Sequence, residues 1–171
     1  MVIALLLACA EPAPEDAADR DPDADLFLAS HNAVRAGVIP PTDPPLPDLI
    51  WGQDLAKIAS DHAERCVYEH SSAPAPGADY GENIAFFGGD DPTFSTADLV
   101  VVAWASEVAF YTYEDNSCLP DEVCGHYTQI VWRDTARVGC GVALCDLFET
   151  QGLFWVCNYD PPGNWVGEWP Y

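Results

Sequence analysis

Seven cysteines, at positions 9, 66, 118, 124, 140, 145 and 157, limit what this chain can become. No Cys-x-x-Cys pair occurs, so the spacing of a metal knuckle is missing. The cysteines crowd into the second half, among aromatic, strand-like segments. That distribution reads as a disulfide framework, and a disulfide framework implies an oxidising compartment. With Cys9 set aside, six remain, enough for three bridges with no odd thiol.

Cys9 stands apart for a second reason. Val2 to Ala8 is a short apolar run that ends Leu6-Leu7-Ala8-Cys9. It resembles the end of a bacterial lipoprotein signal, where cleavage before the cysteine frees a thiol for lipid attachment. The run is short and no Lys or Arg precedes it, unlike a complete signal peptide; an ordinary, non-lipid signal peptide and a buried N-terminal strand are the alternatives. Ala10 to Asp25 then carries seven acids, one Arg, three Pro and no large apolar residue. Such a stretch cannot bury a core and is expected to be a disordered tether. The expected organisation is a signal or lipobox-like segment over 1–9, a tether over 10–25 and one folded domain over 26–171.

The charge excludes several functions. Twenty-eight acidic and six basic residues give a net −22. A surface this acidic repels phosphate backbones and anionic lipid, so neither nucleic acid nor electrostatic membrane attachment is expected. It serves as a solubility device, or it selects a cationic partner. No apolar run reaches the ~18 residues that span a bilayer. Apolar residues at 49%, with six Trp, seven Tyr and seven Phe, exclude wholesale disorder.

Periodicity orders the domain. Leu26 to Gly37 predicts a first helix, with Gly37 as its stop. Five prolines in 40–47 require an extended loop. Trp51 to Val67 predicts a second helix whose buried face runs through Leu55, Ile58, Ala59, His62, Ala63 and Cys66. Ser95 to Tyr111 predicts a third, with Ser95 as N-cap and Asp98 three residues on. Glu107 falls in the middle of its apolar face, where an unpaired carboxylate is costly, so Glu107 needs a partner. The period then changes. His126 to Trp132, Val138 to Cys145 and Leu153 to Tyr159 are rich in β-branched and aromatic residues and predict strands. Helices followed by clustered strands predict an α+β layered fold.

Two long stretches carry a family resemblance. They are Gly125-His126-Tyr127-Thr128-Gln129-Ile130-Val131-Trp132-Arg133 and Cys157-Asn158-Tyr159-Asp160-Pro161-Pro162-Gly163-Asn164-Trp165. Shorter pieces stand in the matching order: His31-Asn32-Ala33-Val34-Arg35, Cys66 followed by His70-Ser71, Gly81-Glu82-Asn83-Ile84, and Trp104 to Glu107. Together they resemble the CAP superfamily of cysteine-rich secretory proteins, venom antigen 5 proteins and plant pathogenesis-related class 1 proteins. The resemblance covers 26–171. It implies a three-layer α-β-α sandwich with an antiparallel central sheet. It also implies the bridges Cys66–Cys145, Cys118–Cys124 and Cys140–Cys157.

The resemblance further implies a cleft lined by His70, Glu82, Glu107 and His126. His70 and His126 would ligate zinc or another divalent cation, with water completing an open site. Glu82 and Glu107 would orient the imidazoles from behind. A hydrogen-bonded network that only ties helices to sheet is the alternative. His31 reads as structural, His62 as packing, and Asn83 as a group that hydrogen-bonds nearby backbone. The expected function is an exported binding module, extracellular or in the cell envelope, holding a divalent metal and a sterol or other lipid. It is expected to be monomeric and to meet a membrane only through a lipid on Cys9. A metal-dependent hydrolase or protease, with Glu82 or Glu107 as general base, is one alternative. A purely structural surface domain is another. Neither a Gly-x-Ser-x-Gly nor a His-Glu-x-x-His motif is present.

Overall fold

Two adjacent strands organise the molecule, here a computed structural model that describes residues 22–71, 79–89, 91 and 95–171. Strand β5 (Arg137–Leu147) runs antiparallel to β6 (Thr150–Asp160), with Cys140 directly opposite Cys157. Side chains alternate across a strand. On β6, Trp155, Cys157 and Tyr159 enter one apolar cluster while Phe154 and Val156 enter another. The sheet is therefore buried on both faces and needs a layer on each. Strand β2 (Gly81–Gly88) extends it on the far side of β6, from Gly81 opposite Tyr159 to Gly88 opposite Gly152. The long strands are antiparallel, as expected. A two-residue strand, β1 (Ile50–Trp51), adds a short parallel pairing to β5.

Helix α2 (Gln53–Ala63) forms one outer layer, with Leu55, Ala56, Ala59, His62 and Ala63 buried. It lies so close to β5 that a Cβ on Gly139 would meet the Ala56 backbone at 2.2 Å, and one on Gly141 would meet Ser60 at 2.4 Å. Helices α1 (Pro22–Ala36), α3 (Ala97–Ala105) and α4 (Gly125–Ile130) form the opposite layer. Phe27, Val100, Trp104, Tyr127 and Ile130 pack there against Val138, Trp155 and Tyr159. A 3-10 stretch (Ser106–Phe110) leads from α3 into a small hairpin of β3 (Tyr111–Thr112) and β4 (Ser117–Cys118). Among the described residues no helix is long and apolar enough to cross a membrane. The result is a disulfide-stabilised α-β-α sandwich, with the bridges Cys66–Cys145, Cys118–Cys124 and Cys140–Cys157.

Several expectations are corrected. His126 to Trp132 is not a strand: residues 125–130 form α4, because Tyr127, Ile130 and Val131 meet the core at helical spacing. Tertiary packing overrides β propensity there. The tether does not reach Asp25. Pro22 opens α1, Asp23 and Asp25 occupy its first turn, and Ala24 is buried. Proline at the first helical position and acids in the first turn both suit a helix start. Ser95 is not the cap of α3; Thr96 holds that position, and the Ser95 hydroxyl accepts from Trp155 Nε1 at 2.9 Å. Trp51 leaves the second helix for β1. Cys9, the expected lipid attachment site, lies outside the described residues, as do 1–9 and most of the tether.

Candidate functional site

His70 follows the C-terminal turn of α2, after Cys66 is fastened to Cys145 at the end of β5. Its Nδ1 meets Glu82 Oε1 at 2.9 Å. Glu82 sits near the start of β2, and its carboxylate is nearly inaccessible while the His70 ring is 64% exposed. Ser71 completes the cradle. Its backbone N–H donates to Glu82 Oε1 at 2.8 Å and its hydroxyl to Oε2 at 2.6 Å. Burial pushes the Glu82 pKa up, but the bonds from His70 and Ser71 outweigh it and leave it below the usual value. The bond to Glu82 raises His70 above 6.5. A cavity of about 260 Å³ opens beside this pair, lined by His70, Ser71, Asp79, Tyr80 and Glu82.

The second pair is built by a helix start. Glu107, in the 3-10 stretch after α3, accepts from the backbone N–H of His126 at 2.9 Å and of Tyr127 at 3.1 Å. These are amides of the first turn of α4, which have no partner within the helix, and a carboxylate also suits the positive end of the helix. The other oxygen of Glu107 meets His126 Nδ1 at 2.5 Å. The His126 ring stacks on Trp104, centroids 5.9 Å apart. Glu107 therefore does have the partner its sequence position demanded, but its place is a helix cap rather than the middle of an apolar face.

Both pairs share one chemical consequence. An ionised carboxylate can only accept, so Nδ1 of each ring carries the hydrogen and Nε2 of the neutral ring keeps its lone pair. Among the described residues no hydrogen bond engages either Nε2. Each imidazole is thus oriented from behind through Nδ1, with an Nε2 chemically able to take a divalent ion. The four residues are nevertheless two pairs. No described contact joins His70 to His126, and among the described residues no group of three or more His, Cys, Asp or Glu side chains is placed to hold a metal.

Asn83 lies between the pairs. It follows Glu82 on β2 but points to the other face, where its Nδ2 donates to the His126 carbonyl and to Tyr159 Oη, both at 3.1 Å. Tyr159 in turn bonds His31 at 2.9 Å. Asn83 does bond backbone, yet on α4 and not nearby. His31 is structural and wholly buried; His62 packs against Phe154 and bonds the Glu69 carbonyl. Sequence reasoning did not find Ser71 or Tyr159 as part of the support. The only signal was that each stands inside a quoted motif.

The model of the CAP family, described as the Cysteine-rich secretory protein family, matches residues 28–159. Pathogenesis-related protein PR-1 of Medicago truncatula is 42% identical over 149 residues, spanning 85% of this chain and 77% of that protein. Pathogenesis-related leaf protein 4 of Solanum lycopersicum is 39% identical over 179 residues, spanning 100% and 92%. Among solved structures, Schistosoma mansoni venom allergen-like protein 4 aligns with a TM-score of 0.69 at 28% identity, covering 89% of this chain and 95% of that one. A crystal structure of NaASP2 with Zn²⁺ aligns with a TM-score of 0.69 at 26% identity, covering 94% and 90%. The sandwich, its three bridges and these matches agree: the chain belongs to the CAP, or cysteine-rich secretory protein, family.

Proposed function

We propose that this exported domain is a binding module in which Nε2 of His70 and Nε2 of His126 hold one divalent cation, zinc or a similar ion. The observation that carries the reading is the pairing of each ring with its own buried or half-buried carboxylate through Nδ1. That arrangement fixes the tautomer and ring orientation at two positions and leaves Nε2 of each ring without a hydrogen bond among the described residues. The Zn²⁺ bound to a structurally similar relative supports the same ion class. When bound, the ion would supply a Lewis-acidic centre with water in its remaining positions.

Binding is favoured over hydrolysis. Glu82 already accepts from His70 and twice from Ser71, and Glu107 from His126 and two amides of α4. Neither is left to act as a general base. The cavity beside His70 is lined by polar side chains, which suits a hydrated cation better than a sterol or other lipid.

Calorimetric titration of zinc into the full chain tests the proposal. His70→Ala or His126→Ala should abolish binding at micromolar zinc, and Glu82→Gln should weaken it about 10–100-fold. Affinity should collapse as pH falls and the rings protonate. A wild type that releases no heat with zinc at neutral pH, and whose His126 and His70 resonances do not move, would overturn it.

A further inference from the structure

The His–Glu pairs leave a second depression unexplained. A groove of about 440 Å³ runs between α4, the β3–β4 hairpin and the C-terminal segment. Tyr111, Trp132 and Trp165 supply its aromatic surface, and Glu122 and Glu168 its charge. None of the residues lining it is Lys, Arg or His. Around it Leu119, Val123, Trp165, Val166 and Trp169 all expose large apolar surface. Exposed apolar side chains beside an acidic groove, on a chain with net charge −22, point to an interaction site.

The patch is held in a fixed frame. Asn164 accepts from Thr128 Oγ1 at 2.7 Å and donates to the Gly125 carbonyl at 2.8 Å. Asn116 donates to the Glu168 carbonyl and Trp169 Nε1 to the Tyr113 carbonyl, each at 2.8 Å. These bonds tie the C-terminal segment to α4 and to the β3–β4 hairpin. Its surface is therefore preorganised for something that covers it.

We propose that this groove docks a basic segment of a protein partner, with an Arg or Lys side chain over the Trp165 ring between Glu122 and Glu168. Indole and phenol faces attract cations, and a guanidinium adds planar stacking. Two carboxylates in a lining that holds no Lys, Arg or His favour the same charge. The apolar residues around the groove extend well beyond one side chain, which fits a polypeptide with apolar neighbours beside its cation. Anionic lipid and nucleic acid are repelled by the same charge that attracts this partner.

Backbone amide resonances of the full chain provide the test. The probes are a capped hexapeptide alternating Arg and Leu, its Glu/Leu counterpart, and neutral phosphatidylcholine vesicles containing cholesterol. The Arg peptide should move amides of 116–125 and 164–170. Trp165→Ala, and separately Glu122→Gln with Glu168→Gln, should each weaken it about tenfold. Added salt should weaken it further. All three positions are exposed, so an unchanged melting temperature will show that the variants stay folded. No movement at millimolar Arg peptide, an equal response to the Glu peptide, shifts mapped to another face, or selective binding of the vesicles would each overturn the proposal.

Discussion

Tyr159 donates its phenolic hydrogen to Nε2 of His31 across 2.9 Å, inside a core that excludes water from both side chains. The direction follows from the other nitrogen. His31 Nδ1 lies 2.8 Å from the Phe27 carbonyl, which can only accept, so Nδ1 carries the hydrogen and Nε2 takes the proton of Tyr159. Tyr159 can then accept from Asn83, which also holds the carbonyl of His126. The chain of bonds runs from α1 through β6 and β2 to the start of α4. One end of the candidate site is thereby fixed to the core.

This network makes stability depend on pH. Burial lowers the His31 pKa from 6.5 to about 4, the Phe27 carbonyl opposes the drop, and the Arg35 charge adds to it. Between those values the unfolded chain binds a proton that the folded chain refuses. Stability should therefore fall as pH falls from about 6.5 to 4, by about 3 kcal/mol from this group. Urea denaturation at several pH values checks it. His31→Gln should be less stable at pH 7 and should lose this part of the pH slope; an unaltered slope would remove His31 as its source.

His70 titrates in the opposite sense. The bond to Glu82 raises its pKa above 6.5, so the charged pair stabilises the fold below 6.5 and is lost as pH rises through the folded value. The ring is largely exposed, so solvent screens the effect on stability and the resonance is the better readout. Proton NMR should show His70 titrating above 6.5 in the wild type and lower in Glu82→Gln. The same substitution should disturb the Ser71 amide, since Ser71 shares that carboxylate.

Much of this was legible in the sequence, and the gaps have physical causes. The layers, the two long strands and the three bridges followed from periodicity and from the family motifs. The strand over Leu153 to Tyr159 was visible as a nearly continuous run of apolar and aromatic residues, because the sheet is buried on both faces. Strand β2 was not recognised as a strand, since Gly81-Glu82-Asn83 opens it with residues that avoid strands. Helix α4 was misread because Thr128, Ile130 and Val131 are β-branched, while what supports a helix of six residues is distant in sequence: core packing and the capping of its first amides by Glu107. The four residues named for the cleft do meet, His70 with Glu82 and His126 with Glu107. Their division into two carboxylate-backed pairs depends on contacts 12 and 19 residues apart, which no local pattern encodes.

The β5–β6 turn offers a stabilising change. Leu147 pairs with Thr150, so the loop is only Phe148 and Glu149, with φ of 52° and 63°. Two consecutive left-handed residues define the hairpin turn that normally takes Asn-Gly. Phe148 has a reason to stay, since its ring meets Tyr68 and Phe86 with centroids 5.4 and 5.8 Å away. Glu149 is exposed, with the backbone strain of a side chain at positive φ. Glu149→Gly should relieve about 1–2 kcal/mol of strain against about 0.5–1 kcal/mol of added chain entropy, a net gain of about 0.5–1 kcal/mol. Chemical denaturation measures it. A loss of stability would show that Glu149 makes a contribution beyond its backbone.

Arg35 is the residue on which the helical layer most depends. It lies one turn after His31 on α1 and is almost wholly buried. The hydrogen bonds that hold it run to backbone carbonyls. Nε donates to the Pro47 carbonyl at 2.8 Å, Nη1 to those of Ile130 and Trp132 at 2.9 and 2.7 Å, and Nη2 to that of Thr135 at 3.4 Å. Ile130 is the last residue of α4 and Trp132 lies two residues on, and a cation suits the negative end of the helix. Burial lowers the Arg35 pKa to about 10, and it still stays charged at neutral pH. Arg35→Met fills the space but leaves several buried carbonyls without a donor, so it should cost about 3 kcal/mol or more. Arg35→Lys keeps the charge yet presents a single ammonium where a planar fork reaches three directions, and should recover only part of the loss. A second readout separates lost charge from lost packing. Because the Arg35 charge helps to hold His31 neutral, the His31 pKa should rise in Arg35→Met and not in Arg35→Lys. If Arg35→Met melts like the wild type, the guanidinium is not what fastens α1 to the end of α4; if it leaves the His31 titration unmoved, the Arg35 charge does not help to hold His31 neutral.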